Sequence, residues 1–146
     1  MSHGGERVRE IKFRAWDKIC QPNRMKTWEQ LLAQYQLTQV FSSNYFELMQ
    51  YTGLKDKNGK EIYEGDIVKA FIHNGLYPDE WIGEVIFEKG QFGIRYGDLY
   101  KYFYALSKFS KSIKTEYISN VGEVIVESEL MVEVIGNIYE NMELLE

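Results

Sequence analysis

The chain holds one cysteine, two histidines and two prolines in 146 residues, and each scarcity excludes something. A lone Cys20 excludes an intrachain disulfide and any multi-cysteine metal site. His3 lies in a polar, glycine-rich leader, which leaves His73 as the one usable histidine, and a zinc site lacks ligands. Two prolines exclude a long proline-rich linker. No apolar run is long enough to span a bilayer. Met1 to Glu10 lacks the apolar centre of a secretory signal, so the cytosol is the default expectation. The sequence carries no phosphate-binding loop, no dinucleotide fingerprint and no repeat at a fixed period, and no cofactor is expected.

What is present suits one ordinary folded unit. Apolar residues make up 45% of the chain and charged residues 27%, and the length allows one domain with a real core. Residues 1–9 are expected to be a mobile leader and residues 10–146 a single domain. Aromatics reach 15%, with eleven tyrosines, which favours strands. A net charge of −5 argues against a nucleic-acid binder that works through overall charge.

The densest turn chemistry runs from Gln50 to Val68. Asn58-Gly59 supplies two residues that tolerate positive φ, which predicts a type I′ hairpin turn. Gly53 and Gly65 mark two further sharp turns. Around this stretch the pattern predicts short strands. Ile11, Phe13 and Ala15 share a face before Asp17. Phe46 to Tyr51 and Ile67 to Ile72 follow, the latter apolar on both faces and so central in its sheet. Trp81, Gly83, Val85 and Phe87 alternate with Ile82, Glu84, Ile86 and Glu88. Lys89-Gly90 turns the chain into Phe92, Ile94 and Tyr96. Leu99 to Leu106, Tyr117 to Val126 and Leu130 to Tyr139 complete the set, with a bulge expected at Gly136. Thr27 and Gln30 form a possible capping box for a helix over 28–37, where Trp28, Leu31, Leu32 and Tyr35 recur at helical spacing. Phe41 to Asn44 and Ser107 to Ser112 read as loops, and Asn141 to Leu145 as one helical turn. These elements predict a mainly β protein: a small SH3-like barrel or β-sandwich with a short N-terminal helix and a C-terminal helical turn. Trp16, Ile62, Val68, Val85, Ile94, Val134 and Ile138 are the expected core. Leu130–Tyr139 or Tyr117–Val126 at a sheet edge would expose amides that another copy can satisfy, which predicts a homo-oligomer.

Four separated blocks carry a resemblance. Ile11 to Asp17, Met49 to Asp56, Asn58 to Val68 and Glu133 to Asn141 resemble the signature of the YopX family, small proteins encoded by phages and prophages, mostly of Gram-positive bacteria. The resemblance runs from residue 10 to the end. It departs from the pattern at Met142, where the family has proline, and residues 99–128 match nothing in it. It implies a predominantly β fold and a phage or prophage context, for which the bacterial host cytosol is the expected location, and it brings no activity and no catalytic residue.

Catalysis has few candidates. A Cys20–His73 dyad sits in no known motif. Asp17, Asp56, Glu64 and Asp66 all flank turns, where turn-forming carboxylates are the commoner explanation. The expectation is a non-catalytic module that binds a phage or host protein through exposed aromatics and open strand edges. The alternative rests on the one shift in composition. Residues 95–114 carry five basic groups against Asp98, whereas residues 115–146 carry eight glutamates and no basic residue. Arg95, Lys101, Lys108, Lys111 and Lys114 interleave with Tyr96, Tyr100, Tyr102 and Tyr104, as in binders of single-stranded nucleic acid. Arg95, Tyr100, Lys101, Tyr102, Tyr104, Lys108 and Lys111 are therefore the candidate partner surface. The plainer reading, which is preferred, turns these tyrosines into the core and leaves the lysines to pair with the neighbouring glutamates.

Overall fold

The computed structural model of the chain describes residues 9–42, 44–73, 78–97, 102–110, 113–119 and 122–146. It is mainly β. Contacts within the stretch expected to be one domain gather into two compact units, Met1–Gly53 and Leu54–Glu146.

In the first unit, β1 (Phe13–Asp17) lies antiparallel between β2 (Arg24–Lys26) and β3 (Phe46–Lys55). Two short helices, α1 (Trp28–Gln34) and α2 (Leu37–Ser42), replace the single helix expected over 28–37. The capping box forms as its spacing requires: the Gln30 backbone N–H donates to Thr27 Oγ1, and the Thr27 N–H donates to the Gln30 side chain. The first helix stops at Tyr35, which is extended, and α2 takes in Phe41, at the start of the loop expected over Phe41 to Asn44. Ala15, Leu31, Val40 and Phe46 form the buried core of this unit, with Trp28, Tyr35 and Leu48 packed around it. Trp16 was expected among the core residues and is only half-buried, because strand alternation gives the inner face of β1 to Ala15 and Asp17.

The second unit is built on a six-stranded antiparallel sheet. It contains β5 (Asp66–His73), β6 (Pro78–Glu88), β7 (Gln91–Tyr96), β8 (Tyr102–Ala105), β9 (Ile113–Ser119) and β10 (Gly122–Asn137). Their order is β8-β7-β6-β5-β10-β9. Before the sheet, β4 (Glu61–Tyr63) returns along β3. One face carries Val68, Ala70, Val85, Ile94 and Val132, all buried together with Ile62 and Leu106. Of the expected core positions, Ile62, Val68, Val85 and Ile94 are buried as predicted. Val134 is half-buried against this cluster, and Ile138, beyond the end of β10, is half-buried too.

The turns exchange the roles the sequence suggested. Lys89 and Gly90 both have positive φ, 52° and 81°, so the type I′ turn is here, between the paired Glu88 and Gln91. At Asn58-Gly59 only Gly59 is left-handed, with φ 82°. The turn closes instead by the Gly59 N–H donating to the Asp56 carbonyl. The Asp56 side chain, which holds the residues that follow, explains the difference. The bulge expected at Gly136 is present: the register against β5 shifts between Val134 and Gly136. The Asn141 side chain fills the space where a Cβ would stand on Gly136. Residues 107–110, expected as loop, continue from Leu106 into a 3₁₀ turn, Leu106–Ser110, and the C-terminal helical turn is 3₁₀ over Met142–Leu145. The last strand of the sheet order is β9, which holds Tyr117–Ser119 and pairs with Gly122–Ser128 of β10, stopping short of Leu130.

Candidate functional site

The register of the sheet determines what one side of β10 presents. A two-residue turn makes Glu88 and Gln91 a hydrogen-bonded pair, and the alternation of antiparallel ladders carries that parity across the sheet. Counting through β6 and β5, Met131 and Glu133 of β10 bond toward β5, opposite Phe71 and Lys69. Leu130, Val132 and Val134 therefore point their backbone groups the other way. The turn after β3 meets them there. The Lys57 N–H donates to the Val132 carbonyl at 2.9 Å, and the Val134 N–H donates to Asp56 Oδ2 at 2.9 Å. Asp56 Oδ1 takes the N–H groups of Asn58 at 2.8 Å and Lys60 at 2.9 Å. One buried carboxylate thus shapes its own turn and clips that turn to β10. Burial pushes the Asp56 carboxyl up, but the three backbone donors and the nearby Lys60 charge outweigh it and hold the group below the usual carboxylate range.

Beside this clip lies a cleft of about 160 Å³. Its floor is core: Ile62, Leu106 and Val132 belong to the buried cluster, and Leu54 and Phe109 pack against it. Its rim is the turn itself, with Lys55 and Lys57, and Met131 closes the side along β10. Lys55, Lys57 and Lys60 are all exposed. Lys57 reaches Glu133 at 3.5 Å and lies 4.7 Å from the centre of the Phe71 ring. A small apolar depression open to the core and edged with ammonium groups suits the side chain of a partner better than a reaction.

The segment chosen from composition is divided by the sheet. Tyr96 stands opposite Tyr102, and Ile94 opposite Tyr104, on the core face, whereas Arg95 stands opposite Phe103 on the other face. Tyr96 stacks on Trp81 with centroids 3.8 Å apart, and Tyr102 continues the stack at 5.5 Å. Tyr104 packs on Phe109 at 4.9 Å and faces Trp81 at 6.2 Å. Tyr102 remains 53% exposed, so it alone of these rings offers most of its surface to solvent. Arg95 pairs with Glu88 at 2.8 Å. The structure therefore separates Arg95 from the tyrosines it was grouped with. Tyr100, Lys101 and Lys111 lie outside the described residues, as do the side chains of Lys108 and Lys114.

The candidate catalytic groups have structural occupations. Asp17 is buried and accepts the N–H groups of Ile19 and Cys20, the Cys20 thiol at 3.0 Å and, at 3.4 Å, the Lys26 ammonium. Burial raises its pKa, but these donors leave it lowered overall. The same hydrogen bond, with desolvation behind it, pushes the Cys20 thiol up and away from the thiolate a nucleophile needs. The His73 side chain lies outside the described part, so the proposed dyad is not placed. Asp66 accepts the Tyr63 N–H at 2.8 Å. Glu84 sits half-buried opposite Arg95; burial raises its pKa, and Arg95 offsets part of that rise. Among the described residues no group of three or more histidine, cysteine or acidic side chains is arranged to hold a metal ion. No helix among them is long and apolar enough to cross a membrane.

The cleft was not found by reading the sequence. Leu54, Leu106, Phe109 and Met131 come from three separate elements, and nothing in the spacing of apolar residues announces where a core is left open. The turn at its rim was prominent, and Asp56 was read correctly as a turn former.

Comparison with known proteins places the whole pattern. A family profile described as YopX protein matches residues 12–146. No curated protein matches. Among solved structures, protein EF1440 from Enterococcus faecalis is similar, at 24% identity over 95% of this chain and 100% of that one, with a TM-score of 0.49.

Proposed function

This chain belongs to the YopX family, and we propose that it is a non-catalytic module that binds a segment of another protein at the cleft beside β10. The observation that carries this reading is the cleft itself: its floor belongs to the hydrophobic core, and the clip at Asp56 holds its rim in one geometry. A preformed apolar depression lowers the ordering cost of binding. The buried carboxylates Asp17, Asp56 and Asp66 and the Cys20 thiol that donates to Asp17 support the non-catalytic part, since their hydrogen bonds serve the turns they sit in. The partner is a phage or host protein of the bacterial cytosol, or a further copy of this chain.

Selection of peptides from an unbiased display library on the immobilised protein tests the reading. Enriched peptides are expected to lose binding when Leu54→Trp fills the cleft, with the melting transition preserved. Enrichment that ignores Leu54→Trp, or no enrichment, would remove the cleft as the binding site. A second reading, recognition of single-stranded nucleic acid through residues 95–114, is supported by the Trp81–Tyr96–Tyr102 stack and its exposed end. The placement of Arg95 on the opposite face from Tyr102 counts against it.

A further inference from the structure

Lys55 and Lys57 line the cleft, and Lys60 follows in the same turn; all three are exposed. Its one aspartate, Asp56, is buried, and its two oxygens receive three backbone N–H groups. Asp56 therefore directs its charge inward, and the outward face of the turn is cationic. Of the three ammonium groups, Lys57 is shared with Glu133 at 3.5 Å, a loose contact between two side chains each about one-third exposed. The floor a few ångströms away is aliphatic and aromatic: Leu54, Ile62, Leu106 and Phe109. A volume of about 160 Å³ admits one large apolar side chain and no drug-sized ligand.

We propose that the occupant is a short acidic–apolar segment of a partner protein, inserting one leucine or phenylalanine side chain into the cleft while flanking carboxylates lie over Lys55 and Lys60. This rests on the reading of the cleft as a protein-binding site and specifies the chemistry of what binds. Charge complementarity favours this occupant. A basic–apolar segment would bring like charges against the rim and is rejected, and a purely apolar one makes no use of the exposed ammonium groups. The apolar anchor supplies residence, and the carboxylates supply orientation and a salt-dependent association rate.

Two synthetic peptides test it on the full chain by isothermal titration or fluorescence anisotropy. One places a central Phe between Asp and Glu residues; the other keeps the Phe and replaces every acid with Lys. The acidic peptide is expected to bind, to weaken as salt shortens the screening length from about 30 Å at 0.01 M toward about 8 Å at 0.15 M, and to lose roughly tenfold in affinity in the double variant Lys55→Glu, Lys60→Glu. Both lysines are exposed, and a melting curve matching the parent shows that the variant folds. Equal binding of the two peptides, or an acidic peptide indifferent to Lys55→Glu and Lys60→Glu, overturns the proposal. Peptides selected from the unbiased library and blocked by Leu54→Trp, yet not acidic, would overturn the chemistry while leaving the cleft a binding site. Failure of every peptide at the cleft would overturn both.

Discussion

Asp56 shows how much one carboxylate can decide. It accepts three backbone N–H groups, two from its own turn and one from a residue 78 positions away. Replacing it with alanine leaves those donors buried without partners. We expect Asp56→Ala to cost about 2–4 kcal/mol in unfolding free energy, since hydrogen bonds to charged groups contribute more than neutral ones; urea titration measures it, and a loss below about 0.5 kcal/mol would show that the clip is idle. The sign of its pH dependence follows from the lowered pKa. The unfolded chain binds a proton at higher pH than the folded one, so this stability is fully present above the ordinary aspartate value. It is lost as pH falls through the folded value. Asp17 acts in the same sense, whereas the raised Glu84 acts in the opposite one. Urea midpoints measured from about pH 6 to about pH 2 should fall, and Asp56→Asn should flatten that fall. Sequence alone made Asp56 a turn former. Its bond to Val134 was not legible, because nothing local marks which distant strand a turn will meet.

At the scale of elements, the β7–β8 pair has a built-in close approach. Gly93 lies beneath Phe103, and a Cβ there would clash with the ring. The missing side chain is what lets the ring of one strand cover the other. Gly93→Ala should therefore displace Phe103 and cost about 1–3 kcal/mol. The double variant with Phe103→Ala should lose less than the sum of the two single losses, since the clash is gone; strict additivity in a double-mutant cycle would contradict this packing. Hairpins and strands were largely readable from period-two alternation. Lys89-Gly90 turned where expected, and Phe92, Ile94 and Tyr96 shared the face assigned to them. The type I′ geometry was read at Asn58-Gly59 and belongs at Lys89-Gly90, because the Asp56 side chain imposes another closure on the first turn. The helix over 28–37 ended early because Tyr35 turns extended, a choice that local propensity does not encode. Trp16 shows the limit of composition: a tryptophan suggests a core, but register puts it on the other face of β1.

For the molecule as a whole, the binding surface is a product of long-range assembly. The cleft joins the end of β3, β4, the 3₁₀ turn Leu106–Ser110 and β10, and only the folded chain brings these together. The basic, aromatic stretch at 95–114 stands out in the sequence because it is contiguous. The sheet then turned its residues to two faces, stacking Tyr96 and Tyr104 among other rings and pairing Arg95 with Glu88. Contiguity in sequence was a poor guide to contiguity in space, and the family pattern was a good guide to fold. The account stands most directly on where a selected peptide makes contact. Backbone amide shifts of the isotope-labelled chain, titrated with such a peptide, should move at Leu54–Lys57, Ile62, Leu106, Phe109 and Met131–Val132 and remain still at Tyr96, Tyr102 and the first unit. Shifts concentrated at Tyr96 and Tyr102 instead, with the cleft residues unmoved, would contradict it.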